Sequence, residues 1–508
     1  MRPRKTRAHL LALTDAKVIL RDIGLLIQVP GLMALLSLPV ALFFQEYEAI
    51  WPLLLTALAS FSLGQGAYRA FRRAGEATLA HGMVIASLGW LLVPFFGTIP
   101  LYLIALRLVQ AQGPGAAQTL IHFTSPLNAL FEAVSGYTGT GLTMTLDPQE
   151  LPRTLQWWRS FMEWIGGVGV IVLMLAIITS PRPLSLYYAE ARQERIHPSI
   201  RSTVRTIWWI FLIYTVGSAL LLWLAGMPPW DAINHAMSAL DTGGFSVRKE
   251  SIAFYDSLWI ELALFPVMIF GALSFAVHYR LLRQRRLFAF WEDLQSRWFL
   301  ILLGGGILLL ALENLSYQPP LSDLRRAAFQ FTSALSTCGL QTAKLKEWSK
   351  TGKLILTLAM VFGAAAGSTG GGIKTIRTVI LACGVRWRLR KLIAPPDVLV
   401  RFRLGRQFLS DGEASDRLIE AGTLLLLWGF FLLLGIVVLL RVVPAGYGLE
   451  DVILEVVSAQ SNVGLSTGLT GPHLPAAAKL MLCFNMWIGR LEIIPVLLLL
   501  RATARGLE

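Results

Sequence analysis

Charge is scarce in this chain. Of its 508 residues only 15% are Asp, Glu, Lys or Arg, while 55% are hydrophobic. A soluble domain carries ~25% charged residues, so a soluble enzyme and a disordered tail protein are both excluded. Cysteine is almost absent. Cys338, Cys383 and Cys483 are too few for a disulfide framework and have no metal-ligand spacing. The seven histidines are scattered, with no pair at ligand spacing. No cluster of His, Asp or Cys marks one membrane face, which argues against a polytopic membrane enzyme. The charge that is present leans basic, with 45 Lys and Arg against 31 Asp and Glu. In a soluble protein that excess would suggest nucleic acid. Here no nucleic-acid partner is expected, because basic loops on the cytoplasmic side account for it.

The mean hydropathy is +0.59, and the natural unit is a span of ~20 apolar residues. Ten apolar segments are expected, near 23–45, 49–67, 78–106, 154–180, 204–226, 257–279, 297–317, 351–382, 417–440 and 476–500. The first reads as an uncleaved span rather than a signal peptide, being too long and lacking a cleavage site. An even count places both termini on one side. Arg69, Arg72 and Arg73 fall in the first inner segment, Arg283, Arg285 and Arg286 in a later one, and Arg386, Arg388 and Arg390 in another. The positive-inside rule therefore puts both termini on the cytoplasmic side, and the expected location is a multi-pass place in the cytoplasmic (inner) membrane.

The outer segments carry a fourfold frame. They read Ser-Gly-Tyr-Thr-Gly-Thr-Gly-Leu-Thr at 135–143, Ser-Ala-Leu-Asp-Thr-Gly-Gly-Phe-Ser at 238–246, Ser-Ala-Leu-Ser-Thr-Cys-Gly-Leu-Gln at 333–341 and Ser-Ala-Gln-Ser-Asn-Val-Gly-Leu-Ser at 458–466. Aligned on Gly141, Gly244, Gly339 and Gly464, each has Ser six residues earlier and a large apolar residue one later. Gly, Ser and Thr dominate ordinary turns, but turns have no reason to recur in one frame behind a half-length apolar helix. Self-similarity of this kind outweighs any single motif.

Each repeat reads as span, short helix, glycine loop, span. The first short helix is expected from Pro126 to about Ser135, with Thr124-Ser125 capping it and Pro126 in its first turn. Ser322-Asp323 precedes the third. At 1.5 Å per residue such helices end inside the membrane. Non-helical backbone at that depth must be buried in protein or line water. Four such loops around an axis can offer rings of carbonyls to a cation. The candidate filter residues are Thr138, Gly139, Thr140 and Gly141; Asp241, Thr242, Gly243 and Gly244; Ser336, Thr337, Cys338 and Gly339; and Ser461, Asn462, Val463 and Gly464. Asp241 stands where the other repeats have Thr or Ser, so it either attracts cations or turns away to brace its loop. Cys338 reads as a packing residue. Glu132, His235 and Glu455 each lie nine residues before a frame glycine and are expected to brace, as is Glu163.

Further motifs lie outside the loops: Trp164-Ile165-Gly166-Gly167-Val168-Gly169, Gly367-Ser-Thr-Gly-Gly-Gly-Ile-Lys374 and Gly489-Arg490-Leu491-Glu492. With the fourfold frame they make the chain resemble the TrkH/KtrB potassium-transporter superfamily, which includes the plant HKT transporters. The resemblance spans essentially the whole chain. It implies an all-α polytopic membrane protein with four pseudo-symmetric helix–pore loop–helix units around a central ion pore, plus two extra N-terminal helices. The divisions expected are 1–76 for the extra pair, then units at 77–200, 201–292, 293–410 and 411–508. It implies potassium as the transported ion through the Gly filter, with sodium or protons as candidate coupling ions in symport. It also implies a homodimer in the lipid bilayer and a cytosolic nucleotide-binding regulatory subunit (TrkA-like).

Gly367, Gly370, Gly371, Gly372 and Lys374 interrupt the span 351–382. Three consecutive glycines cost a helix ~1 kcal/mol each. A phosphate loop needs Gly directly before Lys, and Ile373 intervenes. The segment is read as a flexible intramembrane gate, against the alternative of a close-packing device. Arg490 lies within an apolar helix, where arginine costs ~2.5–3.5 kcal/mol. It is read as an electrostatic barrier below the filter, against the alternative of an interhelical ion pair; Glu492 sits on another helix face. Two other functions remain open on the residues: the channel-like subunit of an ATP-driven potassium pump, and a less selective sodium/potassium pathway.

Overall fold

Long apolar runs satisfy their own backbone hydrogen bonds as helices, which is what a bilayer demands. The computed structural model describes residues 3–169, 200–286, 288–314, 320–395 and 397–505. The N-terminal layer comprises α1 (Pro3–Leu26), α2 (Gln28–Phe43) and α3 (Ile50–Phe71). Next comes a long helix, a short one and a second helix: α4 (Leu79–Gln112), α5 (Pro126–Thr138) and α6 (Arg153–Val168). The same order recurs in α7 (Ile200–Leu224), α8 (Pro229–Asp241) and α9 (Leu258–Ala272) with its continuation α10 (Phe275–Leu282). It recurs in α11 (Leu294–Asn314), α12 (Pro320–Leu335) and α13 (Lys350–Phe362), continued by α14 (Thr375–Ile393). The last set is α15 (Asp411–Leu440), α16 (Leu449–Gln460) and α17 (Ala476–Arg490), continued by α18 (Ile494–Arg505).

Six stretches of described residues are long and apolar enough to span a membrane, and two more spans are helix pairs bent by 112° and 110°. The other two expected spans fail that test for separate reasons. The second half of 154–180 lies outside the described residues, and 351–382 is split by its glycine loop. The bends correct the expectation of a single interruption. The helix following the loop stops at Val168, Ala272, Phe362 and Arg490, and in the last three sets a further described helix follows. Arg490 therefore closes a helix at a bend, rather than lying within a straight one.

Two capping expectations also change. Pro126 does open α5, but the Ser125 hydroxyl makes no capping bond, and Thr124 Oγ1 donates back to the Ile121 carbonyl at 2.7 Å. Ser322-Asp323 fall inside α12, which starts at Pro320. A small hairpin, β1 (Phe402–Leu404) with β2 (Gln407–Leu409), adds an antiparallel pair to the otherwise helical chain. It packs with Val379, Ile380 and Ala414 in a separate apolar cluster. There Ser410 and Glu413 form a capping box that starts α15.

The sets close on themselves. Each second helix packs on its own short helix and on that of the next set: α6 on α8, α9 on α12, α13 on α16, and α17 back on α5. The fourth residue of each second helix is polar: Gln156, Glu261, Lys353 and Lys479. Three of these clamp the next short helix. Gln156 accepts from Trp230 Nε1 at 2.8 Å. Glu261 takes both arms of Arg325 at 2.8 and 2.9 Å. Lys353 Nζ meets Asp451 at 2.7 Å, both side chains buried. The N-terminal layer joins by Glu46, whose carboxylate takes the N–H groups of Arg153 and Thr154 at 2.6 and 2.7 Å. Those are orphan donors at the start of α6.

Breaking a buried ion pair from one side strands the other charge, at about 3–5 kcal/mol. Lys353→Met is therefore expected to lower the thermal midpoint in detergent clearly, and Lys353→Met/Asp451→Asn to recover most of the loss. A single variant as stable as wild type would refute the clamp.

Candidate functional site

The short helices α5, α8, α12 and α16 end in one way. Gly139, Thr242, Thr337 and Asn462 adopt left-handed φ of 63°, 62°, 59° and 52°. The next N–H then reaches back to the frame serine: Thr140 to Ser135, Gly243 to Ser238, Cys338 to Ser333 and Val463 to Ser458, at 2.8–2.9 Å. This Schellman-type closure satisfies the last carbonyls and turns the chain sharply.

The residue after that is the frame glycine, with φ of 82°, 92°, 81° and 96° at Gly141, Gly244, Gly339 and Gly464. A Cβ on Gly141 would lie 2.0 Å from the Gly243 oxygen, and one on Gly244 2.6 Å from the Cys338 oxygen. On Gly339 it would lie 2.0 Å from the Val463 oxygen, and on Gly464 2.3 Å from the Thr140 oxygen. Each loop thus meets the next, and the fourth returns to the first. Asn462 Nδ2 donates to Thr140 Oγ1 at 2.9 Å across that last junction.

The side chains near the ring mostly brace it. Thr138 Oγ1 donates to the Val134 carbonyl at 2.7 Å, and Thr337 Oγ1 to the Ser336 carbonyl at 2.7 Å. Cys338 is fully buried against Ala239. Nine residues before each glycine, a polar side chain ties down the returning strand. Glu132 accepts from Met144 N at 2.7 Å and from Arg159 Nε at 2.7 Å. His235 Nε2 meets Ser246 Oγ at 2.9 Å. Glu455 accepts from Thr467 N at 2.9 Å and Thr470 Oγ1 at 2.7 Å. The fourth member, missed in the sequence, is Gln330, which accepts from Thr342 N at 2.8 Å. Its position in the frame was the available signal. Glu163 accepts from Phe245 N at 3.0 Å. Asp241 does not brace its own loop: it is fully buried and neither carboxylate oxygen receives an aligned hydrogen bond, although Gly167 N on α6 approaches it.

On the side of the returning strands opens a cavity of about 880 Å³, lined by all four ring glycines and by Arg159, Arg248, Arg326 and Trp348. On the opposite side lies the segment from Gly363 to Lys374. Gly371 N donates to Thr337 Oγ1 at 2.9 Å, and Gly372 N to the Ser461 carbonyl at 3.0 Å. Thr369 Oγ1 reaches the carbonyls of Leu240 and Gly271 at 3.1 and 2.8 Å. Gly367 takes φ of 76° and its carbonyl accepts from Phe275 N at 3.0 Å. Lys374 Nζ folds back onto the Gly370 carbonyl. Cβ atoms on Gly370 and Gly371 would strike Ala364 and the Ser461 oxygen at 2.4 and 1.9 Å. So the segment touches three of the four short-helix ends.

Arg490 covers the remaining quarter. Its guanidinium donates to the carbonyls of Gly166, Gly167 and Thr369 at 2.5, 3.1 and 2.9 Å. It also stacks 5.2 Å from the Trp90 ring centre. Glu492 pairs instead with Arg377 on α14. All twenty-two expected residues thus fall within two adjoining layers, a glycine ring and the segment beneath it.

The chain matches the TrkH family profile, described as a cation transport protein, over residues 53–504. It is 31% identical to an uncharacterized cation transporter of Methanocaldococcus jannaschii, covering 96% of this chain and 95% of that protein. It is 32% identical to the Trk system potassium uptake protein TrkH of Halomonas elongata, covering 95% and 98%. The crystal structure of the potassium transporter TrkH from Vibrio parahaemolyticus superposes with a TM-score of 0.81 at 27% identity, covering 96% and 99%. With its apolar helices and fourfold helical order, the chain is a multi-pass membrane protein that belongs to the TrkH family of cation transport proteins.

Proposed function

We propose that this protein carries potassium into the cell across the cytoplasmic membrane, with both termini in the cytoplasm. The observation that carries the reading is the closed ring of four glycines, each pressed against the backbone of the next loop. Backbone carbonyls gathered at one level can replace an ion's hydration shell. The proposed filter is Thr138–Gly141, Asp241–Gly244, Ser336–Gly339 and Ser461–Gly464. The short helices point their C-terminal ends at the ring, adding partial negative charge. Chains named for potassium uptake are similar over nearly the full length.

The proposed division is an N-terminal pair at 1–76 and units at 77–200, 201–292, 293–410 and 411–508. The proposed gate is the segment with Gly367, Gly370, Gly371, Gly372 and Lys374, closed by Arg490 beneath the ring. The gate would be worked by a cytosolic nucleotide-binding subunit, and the protein would act as a dimer. Transport, rather than catalysis, is the proposed role.

Two experiments test this. Purified protein in liposomes is expected to pass potassium and rubidium in preference to sodium and lithium. Gly141→Ser and Gly244→Ser should erode that preference by roughly tenfold or more, about 1.4 kcal/mol of discrimination. Flux that ignores both substitutions would remove the filter assignment. Separately, Arg490→Ala should raise potassium flux several-fold with the potassium-to-sodium ratio unchanged. A folded Arg490→Ala protein with wild-type flux would show that the arginine is no barrier.

A further inference from the structure

Asp241 occupies a space that only glycines leave open. A Cβ on Gly167 would fall 1.2 Å from its Oδ1, one on Gly243 2.9 Å from its Oδ2, and one on Gly139 3.3 Å from its Oδ2. The residue is fully buried and neither oxygen receives an aligned hydrogen bond, although Gly167 N approaches the carboxylate. Units 1, 3 and 4 place Thr138, Ser336 and Ser461 here, so the charge breaks the fourfold pattern.

A second carboxylate faces it. Glu163 is also fully buried, one turn before Gly167 on α6. Its Oε1 lies 2.7 Å from the same Gly243 Cβ point that is 2.9 Å from Asp241 Oδ2. The two groups are therefore within the ~4–6 Å over which like charges work against each other. Leaving charge uncompensated in the interior costs several kcal/mol per ion.

Arg490 acts on Asp241 and Arg159 on Glu163, but Arg159 is shared. Arg159, one turn before Glu163, is held by Glu132 at 2.7 Å. Arg490 is near: a Cβ on Gly139 would lie 4.0 Å from its Nη1. One guanidinium against two carboxylates still leaves one negative charge. The remaining neighbour, the Cys338 thiol, supplies no positive charge.

Resting on the reading of the ring as a potassium filter, we propose that the Asp241 side chain and Glu163 together bind one alkali cation behind the carbonyls of the second loop. The cation completes the local charge balance, and its occupancy loads an ion next to the ring from one unit only. The site makes the four units energetically unequal.

The test is stabilisation of the purified full-length protein by potassium chloride, titrated at constant ionic strength. Wild type is compared with Asp241→Asn, Asp241→Ser and Glu163→Gln at neutral and mildly acidic pH, with potassium flux from the same preparations. Asp241→Ser restores the hydroxyl of the other units, so a folding failure in one variant leaves the others readable. The potassium concentration for half-stabilisation should rise roughly tenfold in each. Unchanged half-stabilisation would overturn the site. Variants that lose only a pH dependence, with potassium affinity intact, would also overturn it, because the occupant would then be a proton. Wild-type protein that passes no potassium would count against the filter reading, while the stabilisation comparison would still report on the carboxylates.

Discussion

Four loops come so close at one level that none has room for a Cβ toward its neighbour. That constraint organises the rest of the molecule. To bring backbone that close, each short helix must stop abruptly, and it does so by a left-handed residue followed by a bond back to the frame serine. Each returning strand must then be held, because it has no sheet partner; the polar residue nine positions earlier does that. The layer beneath repeats the demand. Cβ atoms on Gly166, Gly271 and Gly489 would lie 2.1, 2.5 and 2.0 Å from the carbonyls of Tyr137, Leu240 and Gln460. Three of the second helices therefore reach a short-helix end through glycine.

This explains what was legible in the sequence. A backbone approach that admits only glycine writes the same residue four times, in frame, whatever surrounds it. The brace is a weaker requirement, since any acceptor of suitable reach serves. Glu132, His235 and Glu455 stand out as ionisable residues in apolar segments, whereas Gln330 is a neutral amide and carries no such signal. The helix breaks after Ala272 and Arg490 were hidden for a related reason. The break after Phe362 is spelled out by a run of glycines. The one after Arg490 places non-glycine residues, Glu492 and Ile493, at φ of 56° and 72°. That backbone is held by tertiary contact, including the pair of Glu492 with Arg377 from another unit. Such contacts have no local signature. The hairpin at 402–409 is short and basic, and its packing on α14 and α15 could not be read from its own residues.

Pseudo-symmetry without identity lets one molecule combine a repeated part with singular ones. The ring needs four equivalent contributions, and the glycines supply them. The layer beneath needs something different in each quarter. One long glycine segment enters from the third unit and touches the ends of three short helices. One arginine from the fourth unit covers the remaining side by binding two carbonyls of the first unit and that of Thr369 in the glycine segment. Four identical subunits would have to carry four arginines or none, and four like charges on one axis would repel across a short distance in a medium of low dielectric. A single chain avoids that conflict. The same freedom allows Asp241 and Glu163 to sit beside one loop alone, two buried carboxylates near one half-buried guanidinium. Fourfold geometry sets where backbone can meet; unequal units decide where charge is placed around it.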